Sequence, residues 1–178
     1  MKKIAVTGGA GFIGSNLVER LLSHGHEVTV VDDLSTGLKS NLDLTKVIFH
    51  ELSLTDREGL AKAVGGVDAI VHLGARGSVP RSLKNPIATH DVNATGTLNV
   101  LEAARGNGAH VIFSSSSSVY GRNDQLPKDE SMWLSPLTPY AASKLAAEGY
   151  VQAYGAAYEV PVTLLRFFNV FGPKQRPD

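Results

Sequence analysis

The sequence predicts an α/β fold, namely a doubly wound parallel sheet with helices on both faces. Short β-branched runs alternate along the chain with longer segments of helical periodicity. Neighbouring parallel strands need crossover connections of a dozen or more residues, and helical segments of this length supply them. A chain of 178 residues is long enough for one domain with a buried core.

The first half of the chain contains two strand–helix units. Ile4–Thr7 predicts the first strand, and a helical pattern follows until Gly25 ends it. Val28–Val31 predicts the second strand, which ends in the acidic pair Asp32 and Asp33. Apolar residues recur in the first helix at Phe12, Ile13, Leu17, Leu21 and Leu22.

The middle of the chain continues this alternation. Val47–Phe49 predicts a third short strand, and a helix is expected to begin at Thr55 and Asp56. Ala69–Leu73 predicts the fourth strand, and Ile87–Arg105 predicts one long polar helix.

A run of serines marks the fifth strand, Val111–Phe113, which leads directly into Ser114–Ser118. A later helix begins at Pro139 with Thr138 as its N-cap, and Val162–Leu165 predicts the sixth strand. Ligands of open α/β sheets bind at the carboxyl ends of the strands. We therefore interpret the serines as part of a site rather than as a flexible linker.

Composition excludes several classes of function. The chain carries 17 Lys+Arg and 17 Asp+Glu, so it lacks the positive field that nucleic acids and polybasic membrane contacts require. It contains no cysteine, which excludes disulfides and thiolate metal sites, and we expect no metal. Its apolar runs are too short to span a membrane. We expect a soluble cytoplasmic protein.

The glycine-rich segment Thr7–Gly14 lies between the first strand and the first helix. A turn without Cβ atoms lets backbone N–H groups approach a pyrophosphate, and the helix N-terminus favours its negative charge. Asp32 ends the second strand, where a carboxylate accepts hydrogen bonds from the adenosine ribose and repels a 2′-phosphate. This context predicts a Rossmann-type domain that binds NAD rather than NADP.

Tyr140 and Lys144 share one face at the start of a helix because they are four positions apart. A tyrosine has a pKa of about 10 and is a poor base at neutral pH. A nearby ammonium and a nicotinamide cation would lower that pKa. A serine from Ser114–Ser118 would then orient the hydroxyl or carbonyl of a substrate.

Four segments together resemble the extended short-chain dehydrogenase/reductase family: Thr7–Gly14, Ser114–Gly121, Tyr140–Lys144 and Leu165–Gly172. The last segment is most similar to that of the nucleotide-sugar enzymes, and above all of the UDP-sugar 4-epimerases. The resemblance covers essentially the whole chain. It implies NAD as cofactor and a UDP-sugar as substrate.

The resemblance also implies individual roles. Ser116 matches the catalytic Ser/Thr, Tyr140 the general base, and Lys144 the residue that binds the nicotinamide ribose. Asn93 matches an asparagine near the cofactor, and Asn169 a residue that contacts the substrate phosphate. The expected cofactor contacts are Gly8, Gly11, Phe12, Ile13, Gly14, Asp32, Asp33, Ser35, Thr36, Ser53, Leu54, Leu73, Gly74, Ala75, Asn93, Tyr140, Lys144 and Phe167. The expected substrate contacts are Ser78, Ser116, Ser117, Tyr140 and Asn169.

The chain departs from related patterns at two places. Ser117 and Ser118 stand where the nucleotide-sugar 4,6-dehydratases carry Asp and Glu, and the lack of these acids disfavours removal of water. Leu52 and Ser53 replace a Gly-Asp pair whose carboxylate receives the adenine amino group. Ser53 is a weaker acceptor than a carboxylate.

The resemblance implies a 4-epimerase in which Tyr140 takes a proton from the sugar 4-hydroxyl while a hydride passes to NAD. A 4-keto sugar would then turn over and receive the hydride on its other face, without net redox change. A UDP-glucuronate decarboxylase or a sugar reductase uses the same three residues and stays open. A module that binds NAD without catalysis is a further alternative.

Three other points stay open in the sequence. Gly77–Ser82 is similar to a loop of epimerases for N-acetylated hexosamines, but it also suits a polar surface loop. The two long helices either form a homodimer or pack on the sheet; the second carries Ala146, Ala147, Gly149, Ala153 and Gly155. Family members have about 300 residues, so we expect residues 1–178 to be the NAD-binding domain, with a substrate lobe beyond them that Pro173–Asp178 enters.

Overall fold

The computed structural model of the protein describes residues 1–175. Over these residues, six parallel strands form one sheet in the order β3-β2-β1-β4-β5-β6. The predicted fold class is confirmed. The strands are β1 (Lys3–Thr7), β2 (Glu27–Asp32), β3 (Ile48–Glu51), β4 (Ala69–His72), β5 (His110–Ser116) and β6 (Val162–Phe167).

Helices connect the strands and cover the sheet. Two short 3₁₀ helices, Lys39–Asn41 and Ser117–Tyr120, and one π-helical turn, Asp91–Thr95, complete the regular structure of residues 1–175. The α-helices are α1 (Phe12–Ser23), α2 (Arg57–Ala63), α3 (Val79–Lys84), α4 (Pro86–His90), α5 (Gly96–Asn107) and α6 (Pro139–Tyr158).

The core has two parts, one on each face of the sheet. Val18 of α1 packs with Val28 and Val30 on one face. Leu101 of α5 and Val151 of α6 belong to the larger cluster on the other face. Helices therefore cover both faces, as the near-continuous apolar strands require. Within residues 1–175, no helix is both long and apolar enough to cross a membrane.

The predicted elements hold, with the following main changes. The single helix Ile87–Arg105 is wrong, because the π turn Asp91–Thr95 divides this stretch into α4 and α5. Gly77–Ser82 is not simply a loop: Ser78 caps α3, and a proline occupies its first turn. The third strand is shifted to Ile48–Glu51, and the fifth extends through Ser116 because β6 continues to pair with it. The N-cap at Thr138 is confirmed.

The strand order reverses between β1 and β4. The chain first builds outward from β1 to β3 and then returns to place β4 on the other side of β1. At such a switch point the connections leave in opposite directions and open a crevice at the carboxyl ends of the strands. The glycine-rich turn after β1 lies at this crevice. The last residues of the sequence, Arg176–Asp178, lie outside the described part of the chain.

Candidate active site

The turn after β1 is built so closely that side chains are excluded from it. Gly8 has φ of +69°, and its N–H donates to the Val31 carbonyl at 2.8 Å. A Cβ on Gly14 would lie 2.2 Å from the Gly8 carbonyl oxygen, so α1 touches the turn through bare backbone. Gly11 is the N-cap of α1 and has no side chain to occupy the first N–H groups of the helix. These donors are free for a phosphate.

Asp32 closes the crevice at the end of β2. Its carboxylate accepts hydrogen bonds from the Ala10 N–H at 3.0 Å and the Leu34 N–H at 2.9 Å. The side chain is buried, and this burial raises the pKa of Asp32 against the lowering effect of the two N–H donors. The carboxylate is thereby fixed against the turn that Gly8 and Gly11 form.

These parts enclose a groove of about 850 Å³, which is within the range of cofactor sites. Arg76, Arg81 and Lys174 bring positive charge to its wall and were not predicted. Arg76 lies shortly after the end of β4, so its place after a parallel strand was an available signal. Arg81 lies in α3, within the segment Gly77–Ser82 that the sequence had already singled out. The predicted residues that line the groove are Gly8, Gly11, Phe12, Ile13, Gly14, Asp32, Asp33, Ser35, Thr36, Leu54, Leu73, Gly74, Ala75 and Ser78.

The helix α6 carries Tyr140 in its first turn and Lys144 one turn later. The Lys144 ammonium is buried, donates to the Ser114 carbonyl oxygen at 2.8 Å and lies 4.9 Å from the centre of the Phe113 ring. Loss of water around the ammonium lowers the pKa of Lys144 to about 8. Lys144 therefore connects the helix to the serine-rich end of β5.

The expected lowering of the Tyr140 pKa depends on a nicotinamide cation as well as an ammonium, and it stays a prediction for the loaded site. Burial of the phenol raises the pKa of Tyr140, and the neighbouring Ser116 hydroxyl only partly opposes this. The Lys144 ammonium is directed at the Ser114 carbonyl instead. A buried phenolate is costly without a positive charge close to it.

Ser116 ends β5 and has its acceptor sites filled. Its Oγ accepts hydrogen bonds from the Ser118 N–H at 3.2 Å and the Ser118 hydroxyl at 2.9 Å. A hydroxyl has one proton and two lone pairs, so the Ser116 proton is left to donate toward Tyr140 or a substrate oxygen. Ser118 was not predicted as a site residue, although its place in the serine run was available.

Eight predicted residues are not part of the groove wall: Ser116, Tyr140 and Lys144, described above, and five others. Asn93 is buried and bonded inside the protein, and Ser53 pairs with Thr55 at 2.8 Å between their hydroxyl oxygens. Ser117 begins a 3₁₀ helix, Phe167 ends β6, and Asn169 is exposed beyond that strand. Their contacts with cofactor or substrate stay predictions.

A buried ion pair supports the catalytic end of the site, and sequence reasoning missed it. The Arg166 guanidinium of β6 binds the Glu148 carboxylate of α6 at 2.9 Å, with side chains 11% and 2% exposed. Arg166 also donates to the Tyr120 hydroxyl at 3.2 Å, and that hydroxyl donates to the Asp129 carbonyl oxygen at 3.0 Å. These bonds connect α6, β6 and the segment after the serines.

The fold and the groove define a dinucleotide-binding domain that carries a Ser-Tyr-Lys group at one end. Residues 4–178 match the NAD dependent epimerase/dehydratase family. The chain belongs to this family, whose enzymes use NAD. The groove fits this cofactor, because its glycine turn excludes Cβ atoms and Asp32 lies where the adenosine ribose is held.

Relatives within this family carry different names. The chain is 40% identical to UDP-glucuronic acid decarboxylase 1 of Xenopus tropicalis over 97% of its own length and 42% of that protein. The UDP-glucose 4-epimerase of Thermus thermophilus, solved with NAD, is 40% identical with a TM-score of 0.92. The UDP-N-acetylglucosamine 4-epimerase of Methanobrevibacter ruminantium, solved with UDP-N-acetylmuramic acid, is 38% identical with a TM-score of 0.93.

The chain spans only part of these relatives. It covers 58% of the Thermus structure, with 99% of its own residues aligned, and 57% of the Methanobrevibacter structure, with 98% aligned. The similarity therefore concerns the cofactor half and the Ser-Tyr-Lys group. Substrate and reaction are matters for a proposal.

Proposed function

We propose that the complete protein is a nucleotide-sugar 4-epimerase that acts on a UDP-hexose or a UDP-N-acetylhexosamine. The observation that carries this proposal is that Ser116 and Tyr140 are present together, while Ser117 and Ser118 have hydroxyl groups and not carboxylates. Dehydration of a sugar needs acidic groups at these two places, and this chain offers none there. The two epimerase structures at 38% and 40% identity support the same choice.

The proposed roles follow from the geometry. NAD, when bound, supplies a reversible hydride acceptor. Ser116 has a free proton with which to orient the oxygen at C4 of the sugar. Tyr140 would take the hydroxyl proton at that oxygen and later return it, as a general base and acid.

Lys144 has the second role in this scheme. Its ammonium is buried and donates to the carbonyl oxygen of Ser114, a residue that lines the groove. It would bind the nicotinamide ribose and contribute positive charge near Tyr140. The phenol then becomes a usable base only in the loaded site, because burial alone raises its pKa.

The sugar class is suggested by the segment between β4 and α4. Ser78 lines the groove and accepts the Arg81 N–H at 3.3 Å as the N-cap of α3. This segment resembles that of epimerases for N-acetylated hexosamines, and the Methanobrevibacter relative bears such a name. We therefore place UDP-N-acetylhexosamines beside UDP-hexoses as substrates.

A UDP-glucuronate decarboxylase is the second candidate, because the Xenopus relative is as similar as the Thermus epimerase. The test incubates the complete protein with NAD and, separately, UDP-glucose, UDP-N-acetylglucosamine and UDP-glucuronate, and follows the products by proton NMR. We expect C4 epimers of one or both of the first two substrates and no reaction with Tyr140→Phe. Release of CO₂ from UDP-glucuronate without epimerisation would replace the proposal with the second candidate.

Three further expectations belong with this function. A homodimer through α5 and α6 is supported by small exposed residues on α6, namely Gly149 and Ala153, whereas Ala147 is buried in the core. Sedimentation velocity tests it, and a monomer at micromolar concentration would contradict it.

A substrate lobe beyond residue 178 is also proposed, and the gene sequence tests it. A place in the cytoplasm is proposed as well, and cell fractionation tests it.

A further inference from the structure

The proposed mechanism does not use His72, the last residue of β4, although it is the most enclosed titratable group near the groove. Its side chain is 1% exposed. Its Nδ1 lies 2.7 Å from the Thr7 hydroxyl, and its Nε2 lies 2.9 Å from the Thr97 hydroxyl. Burial and the nearby Lys144 ammonium lower the pKa of His72 to about 3, so the ring is neutral and has one N–H.

The direction of every bond around His72 follows from counting protons. The Thr97 hydroxyl donates to the Asn93 carbonyl oxygen at 2.5 Å, and that carbonyl has no proton to offer. The Thr97 oxygen must therefore accept from the ring, which places the His72 proton on Nε2. His72 Nδ1 then accepts from the Thr7 hydroxyl, which itself accepts the Gly74 N–H at 3.1 Å.

One end of this chain of bonds lies at the wall of the groove. Gly8 and Gly74 both line the groove, and their backbones are in contact, since a Cβ on Gly8 would lie 2.8 Å from the Gly74 Cα. The Thr7 hydroxyl holds the Gly74 N–H beside this contact. Thr7 and His72 thus fix the spacing between the glycine-rich turn and the segment after β4.

The other end lies under the catalytic helix. Asn93, in the π-helical turn, accepts the Arg76 N–H at 2.7 Å and donates to the Ser143 hydroxyl at 2.9 Å. Ser143 in turn donates to the Tyr140 carbonyl oxygen at 2.7 Å. Asn93 lies within the π turn Asp91–Thr95, and such turns are frequent at functional sites.

The backbone of His72 makes a second connection to the same helix. Its carbonyl oxygen accepts the Ser114 hydroxyl at 3.0 Å. The carbonyl oxygen of Ser114 accepts the Lys144 ammonium at 2.8 Å. His72 is therefore hydrogen-bonded to Thr7, Thr97 and Ser114. Through these three residues it is connected to the glycine-rich turn, to Tyr140 and to Lys144.

We propose that His72 is a positioning residue, held as the neutral Nε2–H tautomer, that couples the glycine-rich turn to the helix carrying Tyr140 and Lys144. Its ring accepts on the Thr7 side and donates on the Thr97 side, and the opposite tautomer would leave both hydroxyls wrongly directed. The turnover part of this proposal rests on the proposed function. The tautomer and the effect on NAD binding do not.

The tautomer is tested by ¹⁵N NMR of the complete protein labelled at its six histidines, with His72→Gln for assignment. We expect a protonated Nε2 and an unprotonated Nδ1 that do not change between about pH 5 and 8. Should His72→Gln fail to fold, couplings of the His72 ring to its own backbone assign the signal. A protonated Nδ1, or titration within this range, would overturn the proposal.

The coupling is tested with paired threonine variants. Thr7→Val removes the hydroxyl while Thr7→Ser keeps it, and calorimetric titration with NAD measures the result. We expect Thr7→Val to bind NAD about 10-fold more weakly and Thr7→Ser to recover most of this loss. The control is Thr163→Val, which breaks a His–Thr bond of the same type, 2.9 Å long, between β5 and β6. An equal loss in Thr7→Ser, or in the control, would overturn the proposal.

The Thr97 side is tested by turnover. Thr97→Val should lower kcat of the epimerase reaction about 10-fold with a smaller change in KM for the UDP-sugar, and Thr97→Ser should restore it. Equal kcat losses in both Thr97 variants would mean that packing, not the hydroxyl, matters, and would overturn the coupling. If the wild-type protein epimerises nothing, the proposed function fails, while the tautomer and the NAD titrations still decide the role of His72.

Discussion

The cofactor end and the catalytic end of the site are built from different materials. At the ends of β1 and β2, the site consists of backbone brought together so closely that a Cβ on Gly14 would lie 2.2 Å from a carbonyl oxygen. At the ends of β5 and β6, it consists of buried charged side chains, Lys144 and the pair Glu148–Arg166. The first end should lose stability and NAD affinity when a side-chain atom is added to one of its glycines. The second should fail when one charge of the Glu148–Arg166 pair is removed.

The largest effect is expected from removing one charge of the buried pair. Glu148→Gln leaves the Arg166 guanidinium buried without a counter-charge, and it should lower the free energy of unfolding by about 3 kcal/mol. Chemical denaturation followed by circular dichroism measures this value. NAD affinity should change much less, because neither residue lines the groove.

The matched control is Glu51→Gln. Glu51 forms an ion pair with Lys39 at 2.7 Å, but both side chains are at least half exposed. Its loss should cost less than about 1 kcal/mol. Similar losses in both variants would contradict the importance of burial at the catalytic end.

The next effect concerns the cofactor end. Gly14→Ala places a methyl group against the Gly8 carbonyl oxygen and the Gly9 Cα, at 2.2 and 2.7 Å before relaxation. We expect a loss of about 1–3 kcal/mol in stability, together with a clear loss of NAD affinity in calorimetric titration. The turn must shift, and its N–H groups then miss the phosphate.

Gly106→Ala is the control for this change. Gly106 lies in α5 with nothing within 4 Å of the added Cβ, so the substitution should stabilise the protein by up to about 1 kcal/mol. If Gly14→Ala bound NAD as the wild type does, the close backbone contact would be irrelevant to the cofactor.

A smaller effect is expected in the pH dependence of stability. Burial lowers the pKa of Lys144 from 10.5 to about 8. Between these pH values the unfolded chain holds a proton that the folded chain has released, so this residue makes the free energy of unfolding rise with pH. Lys144→Met should remove that rise.

Urea denaturation of both proteins at several pH values between about 7.5 and 10.5 measures the difference. The gain in stability of Lys144→Met over the wild type should be largest below pH 8 and should shrink toward pH 10.5. A difference that stays constant over this range would show that the ammonium is not desolvated in the folded protein.

The smallest effect is expected at Ser118. Ser118→Ala removes the hydroxyl that donates to Ser116 at 2.9 Å and leaves the backbone N–H in place. The Ser116 proton is then less well directed, and kcat should fall about fivefold, or about 1 kcal/mol. Ser118→Thr keeps the donor and should retain most of the activity, and equal losses in both would contradict this role.

The cofactor end was largely predictable because its chemistry is local. A glycine turn between a strand and a helix, with Asp32 at the end of the next strand, needs only the order of elements along the chain. Fourteen of the predicted cofactor and substrate residues line the groove for this reason. The cations Arg76 and Arg81 were not predicted as contacts; Arg81 lies in the short helix α3, within a segment that the sequence also allowed as a polar surface loop.

The catalytic end was predictable only in part. Ser116, Tyr140 and Lys144 carry motifs, but the partners of these residues lie far away along the chain. Lys144 reaches the Ser114 carbonyl 30 positions earlier, and His72 joins Thr7 and Thr97. Nothing in the local spacing of these residues indicates such bonds. The raised pKa of Tyr140 in the chain without NAD was not predicted for the same reason, since burial is a property of the folded chain.

The sequence by itself determined the order of the strands and the glycine turn, because periodicity and steric demand act between near neighbours, while the Ser-Tyr-Lys assignment came from the family resemblance. The tertiary structure alone decided which groups lose water and which proton each one keeps. It made Glu148 and Arg166 a buried pair, set the His72 tautomer through Thr97, and turned the Lys144 ammonium toward Ser114. Desolvation and hydrogen-bond direction depend on atoms that meet only after the sheet has formed.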